Sequence, residues 1–186
     1  MARTKKSTLP TRILATLLSL AAAACGGGSP AMASGGDDCE GVISGDGEFA
    51  LVVSGPNPAE ECGIAVSVES SAGGNWGVQM LSTSNITQFN VWTDVGGRPG
   101  PGSYPIVDLA ATDGSPASGN FVVMAIFDER SVGETLTSVS GTLTILSSSA
   151  DEVSGTFEVS AREGTVAGGA ATYTVSGSFT AANEDA

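Results

Sequence analysis

The chain has 186 residues, of which 20 are acidic, 7 are basic and none is histidine. A surface with that balance repels phosphate backbones, which excludes nucleic acid as a partner. Charged residues make up 15% of the chain and glycine occupies 26 positions. This composition disfavours helical bundles and favours many short strands joined by tight turns.

The N-terminus has the layout of an export signal. Four of the seven basic residues precede an apolar run from Ile13 to Ala24, which is too short to span a bilayer as a helix. We predict that residues 1–24 are a signal segment, that 25–38 are a flexible Gly/Ser-rich tether, and that 39–186 form one domain.

Two cleavage sites compete in this N-terminal segment. The sequence AAAC ending at Cys25 resembles the lipobox of bacterial lipoproteins, although that family usually carries leucine where this chain has Ala22. The resemblance implies that Cys25 is lipidated and that the protein is anchored in the bacterial envelope, at the outer membrane. The alternative is an ordinary signal-peptidase site, AMA ending at Ala33, which would leave a secreted or periplasmic protein.

The cysteine count supports either route of export. Three cysteines leave one unpaired in an oxidising compartment. Lipidation or removal of Cys25 leaves Cys39 and Cys62, which we predict to form a disulfide. That bond would close a loop of about 23 residues and contribute roughly 3 kcal/mol in the chain-entropy model. A metal site is disfavoured, because the chain has no histidine and no CxxC spacing.

After the tether, hydrophobic residues recur with the two-residue period of strands, and turn clusters rich in glycine and proline separate them. Six strands are predicted in the first part of the domain, at 48–53, 63–69, 76–81, 86–93, 103–109 and 120–128. The last contains the run from Phe121 to Phe127, which is apolar on both faces. A central strand covered on both sides fits this run; a short buried helix fits the pattern too, but valine and phenylalanine favour the strand.

The C-terminal third alternates most clearly. Residues 153–162 and 171–181 each place apolar side chains on one face and mostly serine and threonine on the other, as in an antiparallel sheet with one wet side. A short repeat with a central Ser-Gly begins at Val139, Val153 and Val175 and predicts a three-stranded meander. With about nine strands, the expected fold is all-β, a single antiparallel β-sandwich or a small β-barrel.

The repeat places Gly141, Gly155 and Gly177 among the inward-facing residues. Glycine weakens a strand, so the space above each is expected to be needed, either by a covering aromatic ring or by a sharp bend. We predict that Tyr173 or a tryptophan covers at least one of them.

The sequence offers little catalytic chemistry. After the signal segment there is no histidine or lysine to activate a nucleophile, and no nucleophile-elbow, P-loop or dinucleotide motif. We therefore predict no catalytic residues, no metal and no cofactor. Paired carboxylates remain an alternative route to hydrolysis. A calcium site on the acids at 37–40 and 46–48 is a further alternative, but the pattern favours solvated acids in a loop.

The two tryptophans are candidate ligand platforms, although core packing is the simpler interpretation. Trp92 is the better candidate than Trp76, because it shares a strand face with Gln88 and Asn90. Phe89 and Val91 lie on the opposite face of this strand.

The repeats, the Pro-Gly-Ser-Tyr run at 101–104 and the linker after Cys25 together resemble small Gly/Thr-rich all-β bacterial lipoproteins of uncharacterised function. The resemblance covers most of the chain, is compositional and short-motif in kind, and implies an envelope β-domain without site residues. We expect a non-enzymatic lipoprotein whose domain binds or packs against another envelope component, protein or carbohydrate. The alternative is a β-barrel carrier of a small apolar ligand, and a carboxylate-based hydrolase is third.

Overall fold

The computed structural model describes residues 47–69, 74–82, 88–94, 96–126, 135–164 and 171–183. Within these ranges the chain forms nine strands, which confirms the all-β prediction. The strands are β1 (Glu48–Ser54), β2 (Ala59–Glu69), β3 (Trp76–Ser82), β4 (Gln88–Thr93), β5 (Gly102–Ile106), β6 (Val122–Ile126), β7 (Thr135–Ser148), β8 (Glu152–Glu163) and β9 (Tyr173–Asn183). A single 3-10 turn, Ala110–Thr112, lies between β5 and β6. None of the described residues belongs to a helix with the length and hydropathy that a membrane crossing needs.

Eight of the strands close into an antiparallel barrel, so the barrel alternative is the correct one. Each barrel strand pairs with the next along the chain, with β4 pairing directly with β6, and β9 closes the ring on β1. The extra strand, β5, pairs with β7. One edge of β7 lies along β8, and its other edge is shared by β6 at residues 135–137 and by β5 at residues 141–145.

Inward-facing side chains fill the barrel. Phe89 of β4 stacks on Phe157 of β8 with ring centroids 4.8 Å apart, and these two strands belong to different sides of the ring. An eight-stranded barrel has an interior just wide enough for side chains to fill it. The remaining large buried residues of the core include Phe49, Leu51, Trp76, Met80, Phe121, Leu136, Leu143, Ile145, Tyr173 and Phe179.

The alternation predicted for the C-terminal third is confirmed. On β8, Val153, Phe157 and Val159 are buried, whereas Thr156 and Glu158 are exposed. On β9 the same alternation runs from Tyr173 onward. Together with β7 these strands form the predicted three-stranded meander.

The first copy of the repeat differs from the other two. The register between β7 and β8 shifts after Ser138, so that Val139 lies in a β-bulge and is only half-buried. The Ser138 hydroxyl donates to the Val107 carbonyl (2.7 Å) and accepts from the Val123 amide (3.1 Å). The expected inward face of this copy therefore begins only after the bulge.

Phenylalanines cover two of the repeat glycines, in place of the predicted Tyr173 or tryptophan. A Cβ atom on Gly155 would lie 2.9 Å from Cζ of Phe179, and one on Gly177 would lie 2.8 Å from Cζ of Phe157. Each phenylalanine is the direct cross-strand partner of the glycine it covers. The expectation of an aromatic cover is confirmed, but the residue named for it was wrong, because the β8–β9 register selects the partner.

Two strand boundaries differ from the prediction by three residues or more. β2 begins at Ala59, earlier than expected, because Glu61 occupies an inward position and hides the alternation in the sequence. β5 ends at Ile106 because Oδ1 of Asp108 accepts a hydrogen bond from the Ala110 amide (2.9 Å) and turns the chain.

A bidentate ion pair holds the segment after β5 against the outside of β8. Nη1 of Arg162 donates to Oδ2 of Asp108 at 2.9 Å, and Nη2 donates to Oδ1. The Arg162 side chain is only 3% exposed. The hydrogen bonds from Arg162 hold the pKa of the Asp108 carboxyl below its ordinary value, and the same bonds raise the pKa of Arg162.

Candidate functional site

Two of the three cysteines with a predicted covalent role, in lipidation or in a disulfide, lie outside the described part of the chain. Cys25 and Cys39 lie outside the described residues, so lipidation and the disulfide stay predictions. Cys62 lies on the outward face of β2 and is 4% exposed, whereas Ile64, the next residue on that face, is 50% exposed.

The acidic candidates do not assemble into a site among the described residues. The acids at 37, 38, 40 and 46 lie outside the described ranges, and Glu48 is on β1. No three metal-ligating side chains are grouped within those ranges. Glu61 is the one buried carboxylate of the described chain, and its Oε2 accepts a hydrogen bond from Oγ of Ser82 (2.7 Å). Hydrolysis by paired carboxylates requires a second acid beside it.

Trp76 is a core residue. It is 1% exposed, its Nε1 donates to Oγ of Ser67 (3.0 Å), and its ring meets that of Phe121 edge to face at 5.9 Å. These contacts satisfy both the apolar and the polar parts of the indole. Trp76 is therefore not a ligand platform.

Trp92 lies on the outside of the barrel. The predicted division of β4 is confirmed, because Phe89 and Val91 are fully buried while Trp92, Gln88 and Asn90 face outward and are partly exposed. The Trp92 Nε1 donates to the carbonyl of Gly114 (3.2 Å), which fixes one edge of the indole.

The strand registers align the outward residues of β2, β3, β4 and β6 into three rows, none of whose members is charged. The rows are Val68, Gly77, Trp92, Val122; Val66, Gln79, Asn90, Met124; and Ile64, Leu81, Gln88, Ile126. We call these residues the uncharged face. On a chain with 20 acids, an uncharged area across four neighbouring strands that also carries exposed apolar side chains is a distinct feature of the surface.

Exposed apolar side chains concentrate on the uncharged face. Ile64, Val68 and Ile126 belong to it, and they are three of the four large hydrophobic residues that are exposed in the described chain. The fourth, Leu146, is on β7. Clustered exposed apolar residues mark surfaces that contact a partner or ligand.

The outer surface of the C-terminal strands has the opposite character. Between residues 154 and 160 on β8 and between residues 174 and 180 on β9, its outward residues are hydroxylic or acidic and hydrogen-bond readily to water. On β8 they are Ser154, Thr156, Glu158 and Ser160, and on β9 they are Thr174, Ser176, Ser178 and Thr180. The barrel therefore has a hydrophilic side and the uncharged face.

An open groove of about 580 Å³ lies on the uncharged face. Gly77 forms part of its floor, and the register places Val68 and Trp92 on either side of this glycine. A residue without a side chain between two large ones leaves a furrow across the sheet. The side chains of Gln79, Asn90, Met124, Asn75 and Asp94 also line the groove.

The polar groups of the groove are amides and one carboxylate. Asn90 Oδ1 accepts from Gln88 Nε2 in a long contact of 3.4 Å. Neither Asn75 nor Gln79 makes a side-chain hydrogen bond to another part of the described chain. Asp94 is the single charged residue of the lining, and no cationic side chain lines it. Each amide thus presents a donor and an acceptor to whatever enters the groove.

Sequence reasoning identified part of this site. It singled out Trp92 with Gln88 and Asn90, but it missed Gln79 and Val68. Alternation within β2 and β3 already directs those two outward, yet only the register places them beside Trp92.

Comparison with known proteins finds no protein-family profile that matches the chain, and no curated protein or solved structure with significant similarity to it.

Proposed function

We propose that this protein is a lipid-anchored component of the bacterial envelope that binds another envelope component through its uncharged face and catalyses no reaction. The observation that carries the proposal is the grooved, uncharged face on a strongly acidic chain. Three of its apolar residues, Ile64, Val68 and Ile126, are solvent-exposed in the free protein. Covering them releases about 25 cal/mol for each Å² of apolar surface removed from water.

The filled interior supports binding on the outside of the barrel rather than inside it. The stacked pair Phe89–Phe157 and the buried Trp76 and Phe179 occupy the space that a carrier would reserve for its ligand. Carrier barrels leave room for at least one small molecule in their interior. These side chains therefore count against the carrier alternative.

The lining of the groove supports binding without catalysis. Its one titratable side chain is Asp94. General acid–base hydrolysis by carboxylates uses two acids with separate tasks, and nucleophilic catalysis requires a base beside the nucleophile. The groove lining supplies neither arrangement.

Co-sedimentation with washed bacterial envelopes tests the proposal. The full chain carrying Cys25→Ser, purified and mixed with envelopes, should sediment with them without a lipid anchor. Trp92→Ala in the same background should abolish sedimentation, since it removes the largest outward-facing side chain of the groove. Leu146→Ala is the matched control, because it removes an exposed apolar side chain from another strand.

The proposal fails if the three proteins sediment equally, or if none of them does. Trp92 lies on the outer surface, so its substitution should leave the barrel folded; thermal melting of each variant checks this. Retention that depends on Trp92 but not on Leu146 supports binding through the uncharged face.

A further inference from the structure

We propose that the component bound in the groove is an uncharged sugar chain, seated between Val68 and Trp92 above Gly77. This inference rests on the proposed function and gives its ligand a chemical class. Four features of the groove favour this ligand: the ring of Trp92, the amide side chains, the charge of the lining and the shape of the groove.

Trp92 provides a flat apolar platform with a fixed orientation. Its Nε1 is bonded to the Gly114 carbonyl, and its strand partner on the groove side is Gly77, which has no side chain to cover it. A pyranose ring has an apolar face of C–H groups that matches an aromatic ring in size. A pre-oriented indole stacks on that face with little loss of conformational entropy.

The amides favour hydroxyl groups over an apolar partner. Asn75 and Gln79 make no side-chain hydrogen bonds within the described chain, and Asn90 makes one long contact. An acyl chain or a hydrophobic protein surface would bury these groups without partners, which opposes binding. A sugar hydroxyl both donates and accepts, as an amide does, so neighbouring hydroxyls can satisfy both atoms of each side chain.

The charge of the site selects an uncharged chain. Asp94 lies at the groove and no cationic side chain lines it, while the protein as a whole carries a formal charge of −13. Phosphate, sulfate and uronic acid groups would be repelled, because like charges at an interface suppress binding. The Asp94 carboxylate can accept hydrogen bonds from neutral hydroxyls.

The shape of the groove disfavours a second copy of the chain as its occupant. The volume of about 580 Å³ falls within the range of about 300–1,000 Å³ that is typical of small-ligand sites. A second sheet laid across the face would bridge the furrow without entering it, and the amide side chains would be left without hydrogen-bond partners. A chain of a few sugar rings can lie along the furrow and reach both Trp92 and Asn75.

Selective destruction of envelope material tests the inference. One portion of washed envelopes is treated with periodate and then borohydride, which cleaves vicinal diols of sugars, and another is digested with proteinase K. The purified Cys25→Ser protein should lose retention on periodate-treated envelopes and keep it on digested ones. Retention should persist in about 1 M sodium chloride, where the Debye length is about 3 Å.

Variants assign the effect to the groove. Trp92→Ala and Gln79→Ala should each weaken retention about tenfold or more, as expected for central binding residues. Trp92→Phe should restore most of it, because a phenyl ring still stacks, and Leu146→Ala should change nothing. A change in tryptophan fluorescence that the polysaccharide fraction causes in the parent protein but not in Trp92→Phe reports Trp92 rather than the buried Trp76.

The alternatives give different results. Retention that survives periodate but not proteinase K identifies a protein partner and overturns the inference while leaving the proposed function standing. Loss of retention at high salt indicates a charged ligand and also overturns it. Self-association that depends on Trp92 in sedimentation velocity would assign the face to a second copy. If untreated envelopes retain no variant, the proposed function itself fails.

Discussion

Gly155 shows how closely the backbones approach where the barrel curves. A Cβ atom at this position would lie 2.6 Å from the carbonyl oxygen of Thr144 on β7 and 2.9 Å from Cζ of Phe179 on β9. The first of these atoms belongs to the backbone and cannot turn aside. Glycine is therefore needed here for space, even though valine has the higher strand propensity.

We expect Gly155→Val to lower the free energy of unfolding by about 1–3 kcal/mol, the usual cost of overpacking a core. Urea denaturation monitored by circular dichroism measures the effect. Gly100→Val is the matched control, because Gly100 has open space around the position of its Cβ. Equal midpoints for Gly155→Val and the parent protein would show that the backbone can yield at this position.

The segment between β5 and β6 is attached to the barrel at identifiable points. Asp108 forms an ion pair with the buried Arg162, and the Leu109 amide donates to the Ser138 carbonyl (3.1 Å). The Gly114 carbonyl accepts a hydrogen bond from Nε1 of Trp92. The segment thus connects the ion pair on β8 to the ring that lines the groove.

Asp108→Asn should destabilise the fold by about 1.5–3 kcal/mol, because it weakens charge-assisted hydrogen bonds to a guanidinium that is 3% exposed. Asp113→Asn, in the same segment but exposed and unpaired with Arg162, should have little effect. Chemical denaturation at neutral pH compares the two variants. Similar losses from both would mean that general acidity, not the ion pair, is responsible.

The same pair should give an acid-dependent stability difference. Because the pKa of Asp108 is lowered in the folded protein, its stabilisation is complete above the ordinary aspartate pKa of about 3.9 and is lost as the pH falls through the lowered value. The difference in free energy of unfolding between the parent and Asp108→Asn should therefore be about constant from pH 5 to pH 7 and should narrow below about pH 4. A gap that does not change on acidification would contradict this linkage.

The strands that the sequence predicts best are those with one buried face and one solvent-exposed face. β8 and β9 alternate along most of their length, so their inward residues could be predicted and their bounds fall within two residues of the prediction. The start of β2 is harder to predict, since the charged residue Glu61 points inward and is buried, which hides the alternation. Closure of the barrel depends on β9 pairing with β1, a contact between the two ends of the domain that no local pattern encodes.

The division of the outer surface into a hydrophilic side and the uncharged face arises only when the strands assemble into the barrel. Three of the uncharged-face strands come from the first half of the domain, and no single strand carries more than three members of this face. Trp92 could be singled out from the sequence because two amides share its strand. The groove itself could not, because Val68 and Gln79 are brought beside it by register alone.

The predicted disulfide can be measured directly. Peptide mapping of the exported protein under non-reducing conditions should find Cys39 linked to Cys62. Reduction should then lower the free energy of unfolding by roughly 3 kcal/mol or less, the entropic value for a loop of about 23 residues. Two free thiols in the exported protein would contradict the pairing.

The predicted anchor has an equally direct test. With Trp92→Ala present to remove retention through the groove, Cys25→Ser should move the protein from the membrane fraction to the soluble fraction in the producing cells, since one acylated N-terminus is removed. The protein carrying Cys39→Ser serves as a control for loss of a cysteine elsewhere. Unchanged partitioning of Cys25→Ser would count against lipidation at this residue.

Closure of the eight-stranded barrel also limits the strand edges at which copies of this chain can polymerise. Strands rich in valine and threonine readily recruit further strands along any open edge, which leads to fibrous aggregates. The barrel leaves its eight strands without such an edge, and the extra strand β5 is short. β5 carries Pro105, which has no N–H to offer, and the Pro105 carbonyl and the Val107 amide already bond to Phe121. Few backbone groups of β5 therefore remain to template a neighbouring molecule, so the described strands resist edge-to-edge association with other copies.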